Sequence, residues 1–422
     1  TEKAAEVEAW AAQLRRSDTA CLIYTSGTGG MPKGVMLSHG AILSNCKGAY
    51  HLLKELGLSD EVFLSFLPLS HSYEHTAGQF FPLSIGAQIY YAEGIEHLGG
   101  NMIEARPTIM TAVPRLYESL YQRITRTVAR NGGIKARLFG TALRLGSLAY
   151  ETPAALSCRQ RLSNRVLDLL VRRKVHGRFG GRLKALVSGG APLNYDIGLF
   201  FTALGLRILQ GYGQTESAPV ISCNLPHDNR IATVGPPMID VDVKIADDGE
   251  ILVRGELVMQ GYWNDTQATA ATIQDGWLHT GDIGEIDGNG YIRITDRKKD
   301  IIVNSGGDNL SPQRVEGILA LEPEIAQAMV YGDRKSHLVA VLVPEEGLDD
   351  ATASKAALDA AMDAAVDRVN AKLSLIERVR RFILADAPFT IDNSLLTPTM
   401  KIRRHKIIAL YKDRLEALYG KG

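Results

Sequence analysis

Short apolar runs separated by longer helix-patterned stretches constrain this chain more than any other feature. Residues 20–24, 62–66, 89–91, 183–187 and 206–209 read as strands, and the segments between them carry helical periodicity. Such alternation favours a layered α/β body, because each helix between strands needs a sheet face on which to bury its apolar stripe. From residue 241 the texture changes to short strand pairs with turn signals at Asp247-Asp248-Gly249 and Asp287-Gly288-Asn289-Gly290. That predicts a small β-rich subdomain over about 230–296. Beyond Asp300 come an apolar run, a Gly-Gly turn, a Ser311-Pro312 helix start, two strands and an Ala-rich helix over about 351–373. This is the pattern of a separate α+β unit. At 422 residues the chain is too long for one ordinary core, and a domain boundary is placed near 297–299.

Lys plus Arg and Asp plus Glu number 47 each, so no global charge favours nucleic acid, and a charged partner must be met by a local patch. One such patch is the helix-patterned insertion over about 114–178, which holds fourteen Lys or Arg against Glu118, Glu151 and Asp168. It reads either as a solvated helical face or as a peripheral docking surface for anionic membranes. Hydrophobic residues at 45% and charged residues at 22% are the proportions of a globular protein. Cys21, Cys46, Cys158 and Cys223 lie far apart without a CxxC pair, so neither a disulfide framework nor a thiolate zinc site is indicated. A reducing cytoplasm fits that usage, and no apolar run of membrane-spanning length or signal-peptide pattern is present.

The residues that carry chemistry follow the strands. Tyr24-Thr25-Ser26-Gly27-Thr28-Gly29-Gly30-Met31-Pro32-Lys33-Gly34 is a hydroxyl- and glycine-rich loop directly after a buried strand. Glycines let backbone N–H groups close around phosphate oxygens, hydroxyls add donors, and Lys33 supplies a cation. It is not a Walker A loop, since Gly34 follows the lysine. Gly211-Tyr212-Gly213-Gln214-Thr215-Glu216 follows another buried strand, at the end where α/β folds gather ligands. Tyr212 is suited to stacking on adenine, Thr215 to a phosphate and Glu216 to Mg²⁺, although taken alone the stretch is equally an ordinary strand-end turn. Thr280-Gly281-Asp282 offers a carboxylate for two vicinal ribose hydroxyls, and Asp296-Arg297-Lys298-Lys299-Asp300 is a charged crossing between domains. His71 and His75 have the spacing of a metal pair, but no third ligand is evident nearby.

YTSGTGGMPKG, GYGQTE, HTGD, TDRKKD and a late lysine in TPTMKIRR, in that order, resemble the adenylate-forming superfamily of acyl-CoA synthetases, luciferases and peptide-synthetase adenylation domains. VPRLYE, the long basic insertion and LVSGGAPL are similar to its long-chain acyl-CoA synthetase branch. The resemblance implies a large adenylation domain over 1–296, a hinge at 297–299 and a small mobile C-terminal domain over 300–422. It implies ATP, Mg²⁺ and coenzyme A as partners of a fatty acid, and an acyl-AMP intermediate.

Carried over by position, Thr25, Ser26, Gly27, Thr28, Gly30 and Lys33 belong to the ATP phosphate loop. Gly189, Gly190, Ala191, Gly211, Tyr212 and Gly213 flank the adenine, while Asp282 and Arg297 meet the ribose. Thr215 meets the α-phosphate, Glu216 binds the metal, and His71 stands beside the reacting carboxylate. Lys401 is the adenylation lysine, Lys299 the hinge, and Ser305, Gly306 and Gly307 the turn facing the pantetheine arm of CoA.

Two departures from the family pattern stand out. Gly29 replaces a usual Thr or Ser, and only 24 residues precede Thr25 where the family has a substantial segment. Part of the large domain is therefore expected to be missing. Besides acyl-CoA ligation, two alternatives stay open: an acyl-AMP ligase that serves a carrier protein, and a non-catalytic nucleotide- or acyl-binding fragment. Asp296 and Asp300 read equally as capping or salt-bridging residues. Glu316 reads as a solvent-facing helix residue, and the cluster 401–406 reads as a solvated run from which only Lys401 takes a role.

Overall fold

The computed structural model describes residues 2–25, 32–348, 354–397 and 401–420. They form two compact units, one from residues up to 25, 32–280 and 284–294, the other from 281–283 and residues from 295 onward.

In the first unit, β1 (Thr19–Thr25) and β2 (Lys33–Ser38) pair antiparallel with Thr25 opposite Lys33. Ser38 ends β2 and caps the helix His39–Leu53, its Oγ accepting from Ala41 N at 3.1 Å. A six-stranded sheet follows, built from β3 (Val62–Ser65), β4 (Gln88–Tyr91), β5 (Ile109–Ala112), β6 (Ala185–Ser188), β7 (Ile208–Gly213) and β8 (Val220–Cys223) in the order β4-β3-β5-β6-β7-β8. The first five strands in that order are parallel and β8 turns back antiparallel on β7. Every residue of β3 and β5 is buried, as strands covered on both faces require. β5 and β8 do not stand out in the sequence, because each is only four residues long and a Thr or Ser interrupts its apolar run.

The basic insertion is the crossover from β5 to β6. Its helices are Pro114–Asn131, Gly133–Glu151 and Cys158–Leu167, with helical turns continuing to Arg178. Pro114 opens the first, and Ser157 with Gln160 forms a capping box on the third. Gly146 permits a close approach to the helix Tyr195–Ala203, since a Cβ there would lie 2.4 Å from Ala203 O. Arg172 departs from the expected outward basic face. It is buried, donates to Ala203 O at 2.7 Å, Ala142 O at 3.0 Å and Asn164 Oδ1 at 2.7 Å, and pairs with Asp168. The planar guanidinium, with five donors, can satisfy several helix carbonyls at once, so this residue clamps the insertion to the body.

β9 (Asp242–Ile245), β10 (Glu250–Arg254), β12 (Ile273–Gln274) and β13 (Trp277–Ile286) make a second sheet in the order β12-β13-β10-β9, with β14 (Ile292–Arg297) on β13. β11 (Gly261–Tyr262) instead joins β2 and extends the first hairpin to three strands.

In the second unit, β15 (Ile302–Val303) and β16 (Asn309–Leu310) form a short hairpin. β17 (Ile325–Tyr331), β18 (Leu338–Pro344) and β19 (Val379–Leu384) form a sheet with β17 antiparallel and β19 parallel to β18. The period of two along β18 sorts its buried side chains. Leu338, Ala340 and Leu342 pack with residues of the helices Pro312–Leu319 and Lys355–Asn370, whereas Val339, Val341 and Val343 pack with residues of the helix Arg404–Ala417. Ser311 and Ser354 cap the first two of these helices.

Glu316 and Arg404 correct the solvent-facing reading. The buried Glu316 carboxylate accepts from Arg404 Nη1 at 2.7 Å and Nη2 at 2.9 Å and from Val330 N at 2.8 Å, while Arg404 Nη1 also donates to Val330 O at 2.8 Å. The chain returning into the last helix lays its first residue over β17, so a side chain inside a basic run becomes an internal tie. Glu316→Ala strands a largely buried guanidinium and should destabilise the second unit by about 3 kcal/mol. Urea unfolding of the two proteins checks this, and coincident curves would refute the tie.

Candidate active site

Because β3, β5, β6 and β7 are parallel, the segments leaving them emerge at one edge of the sheet. Gly189, Gly190 and Ala191 leave β6, and Gly211, Tyr212 and Gly213 close β7 just before Thr215 and Glu216. Gly213 is obligatory, since a Cβ would sit 1.8 Å from Pro219 O. Asn45, from the helix behind, pins the turn by donating to Ser217 O at 3.2 Å and accepting from Val220 N at 2.8 Å. Met259 N donates to Glu216 O at 2.9 Å, so the carboxylate rises from a turn held on two sides. Tyr212 is only 8% exposed and packs with Ile221, Val234 and Ile251, so most of its ring serves the core.

The hairpin meets this turn through a residue that the motifs do not mark. Tyr262, on β11, donates its hydroxyl to Glu216 Oε1 at 2.8 Å, and Lys33 Nζ lies 4.8 Å from the centre of its ring. One aromatic ring thus joins the lysine that opens β2 to the carboxylate beyond β7. Thr25 is held across the hairpin from Lys33. Ser26, Gly27, Thr28 and Gly30 lie outside the described residues, as does Gly29.

The segment after β3 reaches the same turn. Ser72 Oγ is 3.0 Å from Thr215 Oγ1, one residue from His71, whose Nδ1 accepts from Tyr73 N at 3.3 Å. Tyr73 donates to Val187 O at 2.8 Å, and a Cβ on Gly189 would come within 3.0 Å of its ring. Gly190 adopts a φ of +83°, which its lack of a side chain permits. Glu74 is fully buried, and its two carboxyl oxygens accept from Ser65 Oγ and Thr111 Oγ1, each at 2.6 Å. Burial pushes this carboxyl up to about 7, although the two hydroxyls pull the other way. Ser72, Tyr73, Glu74, Asn45 and Tyr262 escape sequence reasoning because their roles depend on strands distant in the chain. The stretch Ser72-Tyr73-Glu74-His75-Thr76 is polar, so nothing local in it signals that the Glu74 carboxylate is buried.

Among the described residues no group of three or more His, Cys, Asp or Glu is placed to hold a metal, and His75 is pushed towards its neutral form by burial. A single carboxylate at Glu216 suits Mg²⁺ that arrives with phosphate ligands, because that ion usually keeps substrate phosphates and water in its shell.

In the second unit Arg297 Nε donates to Asp282 Oδ1 at 3.1 Å. Asp296 accepts from Arg297 N at 2.6 Å, and burial raises its carboxyl to about 6. Lys299 is exposed, in a turn where Asp300 N donates to Arg297 O at 2.8 Å. Ser305, Gly306 and Gly307 form the exposed β15–β16 turn, in which Asn304 Oδ1 accepts from Gly306 N at 2.8 Å and Gly307 has a φ of +86°. Lys401 is exposed, with its backbone N donating to Thr397 Oγ1 at 3.0 Å.

The sequence matches the AMP-binding enzyme family over residues 1–263 and the AMP-binding enzyme C-terminal domain over residues 299–422. It is 37% identical to the long-chain-fatty-acid–CoA ligase FadD15 of Mycobacterium tuberculosis, over 99% of this chain and 72% of that protein. It is 34% identical to the peroxisomal long chain acyl-CoA synthetase 6 of Arabidopsis thaliana, over 95% of this chain and 61% of that protein. The adenylation domain of a carboxylate reductase from Mycobacterium chelonae shares the fold, with a TM-score of 0.72 and 25% identity over 96% of this chain and 61% of that one.

Glu74 makes stability depend on pH. Its folded value near 7 lies above the ordinary 4.5, so its contribution is fully present below about 4.5 and is lost as pH rises through 7. The loss is on the order of 3 kcal/mol. Glu74→Gln, which cannot ionise, should flatten the decline in stability between those values. Urea midpoints measured across that range test it, and parallel curves for the two proteins would exclude Glu74 as the source.

Proposed function

The chain belongs to the AMP-binding enzyme family, and on that premise we propose that it is an ATP-dependent long-chain fatty acid–CoA ligase working through an acyl-AMP intermediate. A fatty-acid carboxylate oxygen attacks the α-phosphorus of ATP and the bond to the β-phosphate oxygen breaks, releasing pyrophosphate. The thiol of CoA then attacks the acyl carbon, AMP leaves with the bonding electrons, and the thiol proton passes to solvent. The first step brings two anions together, so catalysis is chiefly positioning and neutralisation of charge.

The support that carries this reading furthest is the row Lys33, Tyr262, Glu216, which sets a cation and a carboxylate beside the ends of the glycine- and hydroxyl-rich loop. Thr25, Ser26, Gly27, Thr28, Gly30 and Lys33 cradle the β- and γ-phosphates, and Thr215 meets the α-phosphate. Glu216 holds Mg²⁺, which supplies positive charge to the phosphoryl oxygens. Gly189, Gly190, Ala191, Gly211, Tyr212 and Gly213 border the adenine, and Asp282 with Arg297 takes the ribose. His71 borders the carboxylate. Lys401 reaches the α-phosphate during adenylation, and Ser305, Gly306 and Gly307 leave room for the pantetheine arm during thioester formation. Residues 1–296 act as the adenylation domain, 297–299 as a hinge at Lys299, and 300–422 as the domain that turns between the two steps.

Palmitate, ATP, Mg²⁺ and CoA should give palmitoyl-CoA and AMP by mass spectrometry. Acyl-AMP that never becomes thioester would move the acceptor to a carrier protein, and no product would overturn the ligase reading for this chain. Lys401→Ala should lower the first half-reaction and spare thioester formation from supplied acyl-AMP. Equal loss of both would remove Lys401 from its role.

The fatty-acid substrate partitions into bilayers, and the insertion supports peripheral contact with them. No described helix is long and apolar enough to cross a membrane. Leu162, Val166, Leu169 and Leu170 are nonetheless exposed, interleaved with exposed Arg159, Arg161, Arg165 and Arg173, which is the composition of an interfacial helix. The chain should co-sediment with phosphatidylserine-containing vesicles at low salt and less so at high salt. Absence from the pellet at low salt rules the contact out.

A further inference from the structure

Three consecutive residues after β3 tie that segment to the rest of the sheet. Ser72 Oγ stands 3.0 Å from Thr215 Oγ1, Tyr73 Oη donates to Val187 O at 2.8 Å, and the Glu74 carboxyl accepts from Ser65 Oγ of β3 and Thr111 Oγ1 of β5. The first two ties reach the turn after β7 and the end of β6. The third lies beneath them, and none of the roles proposed above uses it. Glu74 is fully buried, and its partners among the described residues are those two hydroxyls and the backbone of Phe66, with no ion pair. An amide or an apolar side chain would fill such a place at a smaller desolvation cost, and burial pushes this carboxyl up to about 7. Buried carboxyls perturbed in this way concentrate at functional sites.

The backbone is shaped around the same carboxyl. Glu74–Phe80 is a π-helix, a rare, wide form found frequently at functional sites. Gly78 lies buried within it, and a Cβ there would collide with Glu74 Cδ and both carboxyl oxygens. The missing side chain at 78 makes the notch in which the carboxyl lies along its own helix and still reaches two strands. His75 N donates to His71 O at 2.9 Å, so the turn that carries His71 runs straight into the one that holds Glu74. We propose that Glu74 is a positioning residue for acyl adenylation: by tying residues 71–74 to β3 and β5 it fixes His71 beside the fatty-acid carboxylate and Ser72 against Thr215. The proposal rests on the adenylation reading. Attack on the α-phosphorus needs the carboxylate and the phosphate placed together, and a displacement of about 1 Å can cost about a hundredfold in rate.

Palmitate-dependent ATP–pyrophosphate exchange and calorimetric ATP binding by the intact chain test it, at a temperature well below each variant's melting midpoint. Gly78→Ala keeps every atom of Glu74 but drives its carboxyl from the notch, and Glu74→Ala removes it. Both should lower kcat of exchange by about a hundredfold while ATP affinity changes less than about twofold, the signature of lost placement rather than lost binding. Glu74→Gln, which still reaches both hydroxyls, should lose less than about tenfold. Ser72→Ala should be non-additive with Gly78→Ala, the double variant being no slower than the slower single one. Gly78→Ala and Ser72→Ala carry the test even if Glu74→Ala does not fold. Wild-type kcat in Gly78→Ala, kcat and ATP affinity falling together, or additive effects in the Ser72 cycle would overturn the assignment. With exchange intact in the wild type, such a result removes Glu74 alone. A wild-type chain without palmitate-dependent exchange overturns the adenylation reading and the assignment with it.

Discussion

A strand whose residues are buried on both faces can present polar groups to solvent or ligand only at its ends. β3 and β5 are in that position, and parallel crossovers bring the trailing ends of β3, β5, β6 and β7 to one edge. The arrangement of the candidate site follows from that constraint. The segments that bear His71, Gly189 and Thr215 are neighbours because their strands are, although more than a hundred residues of chain separate the first from the second.

Within that frame, a few polar ties set where the side chains stand. Ser72 against Thr215, Asn45 against the turn after β7, and Tyr262 between Lys33 and Glu216 each span long stretches of sequence. Beneath them Glu74 bridges hydroxyls from β3 and β5 and holds the 71–75 segment to the sheet. A buried carboxyl of this kind costs desolvation, and its two short hydrogen bonds offset only part of that cost. Its raised titration is the outward sign of the remainder.

The second unit is organised around β18, which is apolar on both faces and sorts its helices by side-chain parity. Its two charged features come from the same economy of space. Arg404 folds back over β17 onto Glu316, while an inserted residue in β19 turns Arg380 and Arg381 into one cavity. Both arginines of β19 and Arg404 sit in short basic runs that look alike in one dimension. Packing makes the one internal and leaves the others exposed.

The α/β class, the β-rich segment, the α+β pattern after residue 300 and the family were legible in the sequence. Apolar periodicity and glycine-rich loop chemistry are local properties, and five ordered motifs carry the family signature. Tyr262, Ser72, Asn45 and Glu74 were not legible as parts of a site, nor were Arg172 and Glu316 as internal ties. Each acts through a partner brought near by strand order or by the approach of a helix. Sequence determined most of the strands, turns and helices, because apolar periodicity and turn chemistry depend on neighbours in the chain, whereas the four-residue strands β5 and β8 took shape only in the sheet. Tertiary structure alone decided which charged and hydroxyl groups meet, because desolvation and hydrogen bonding depend on neighbours in space.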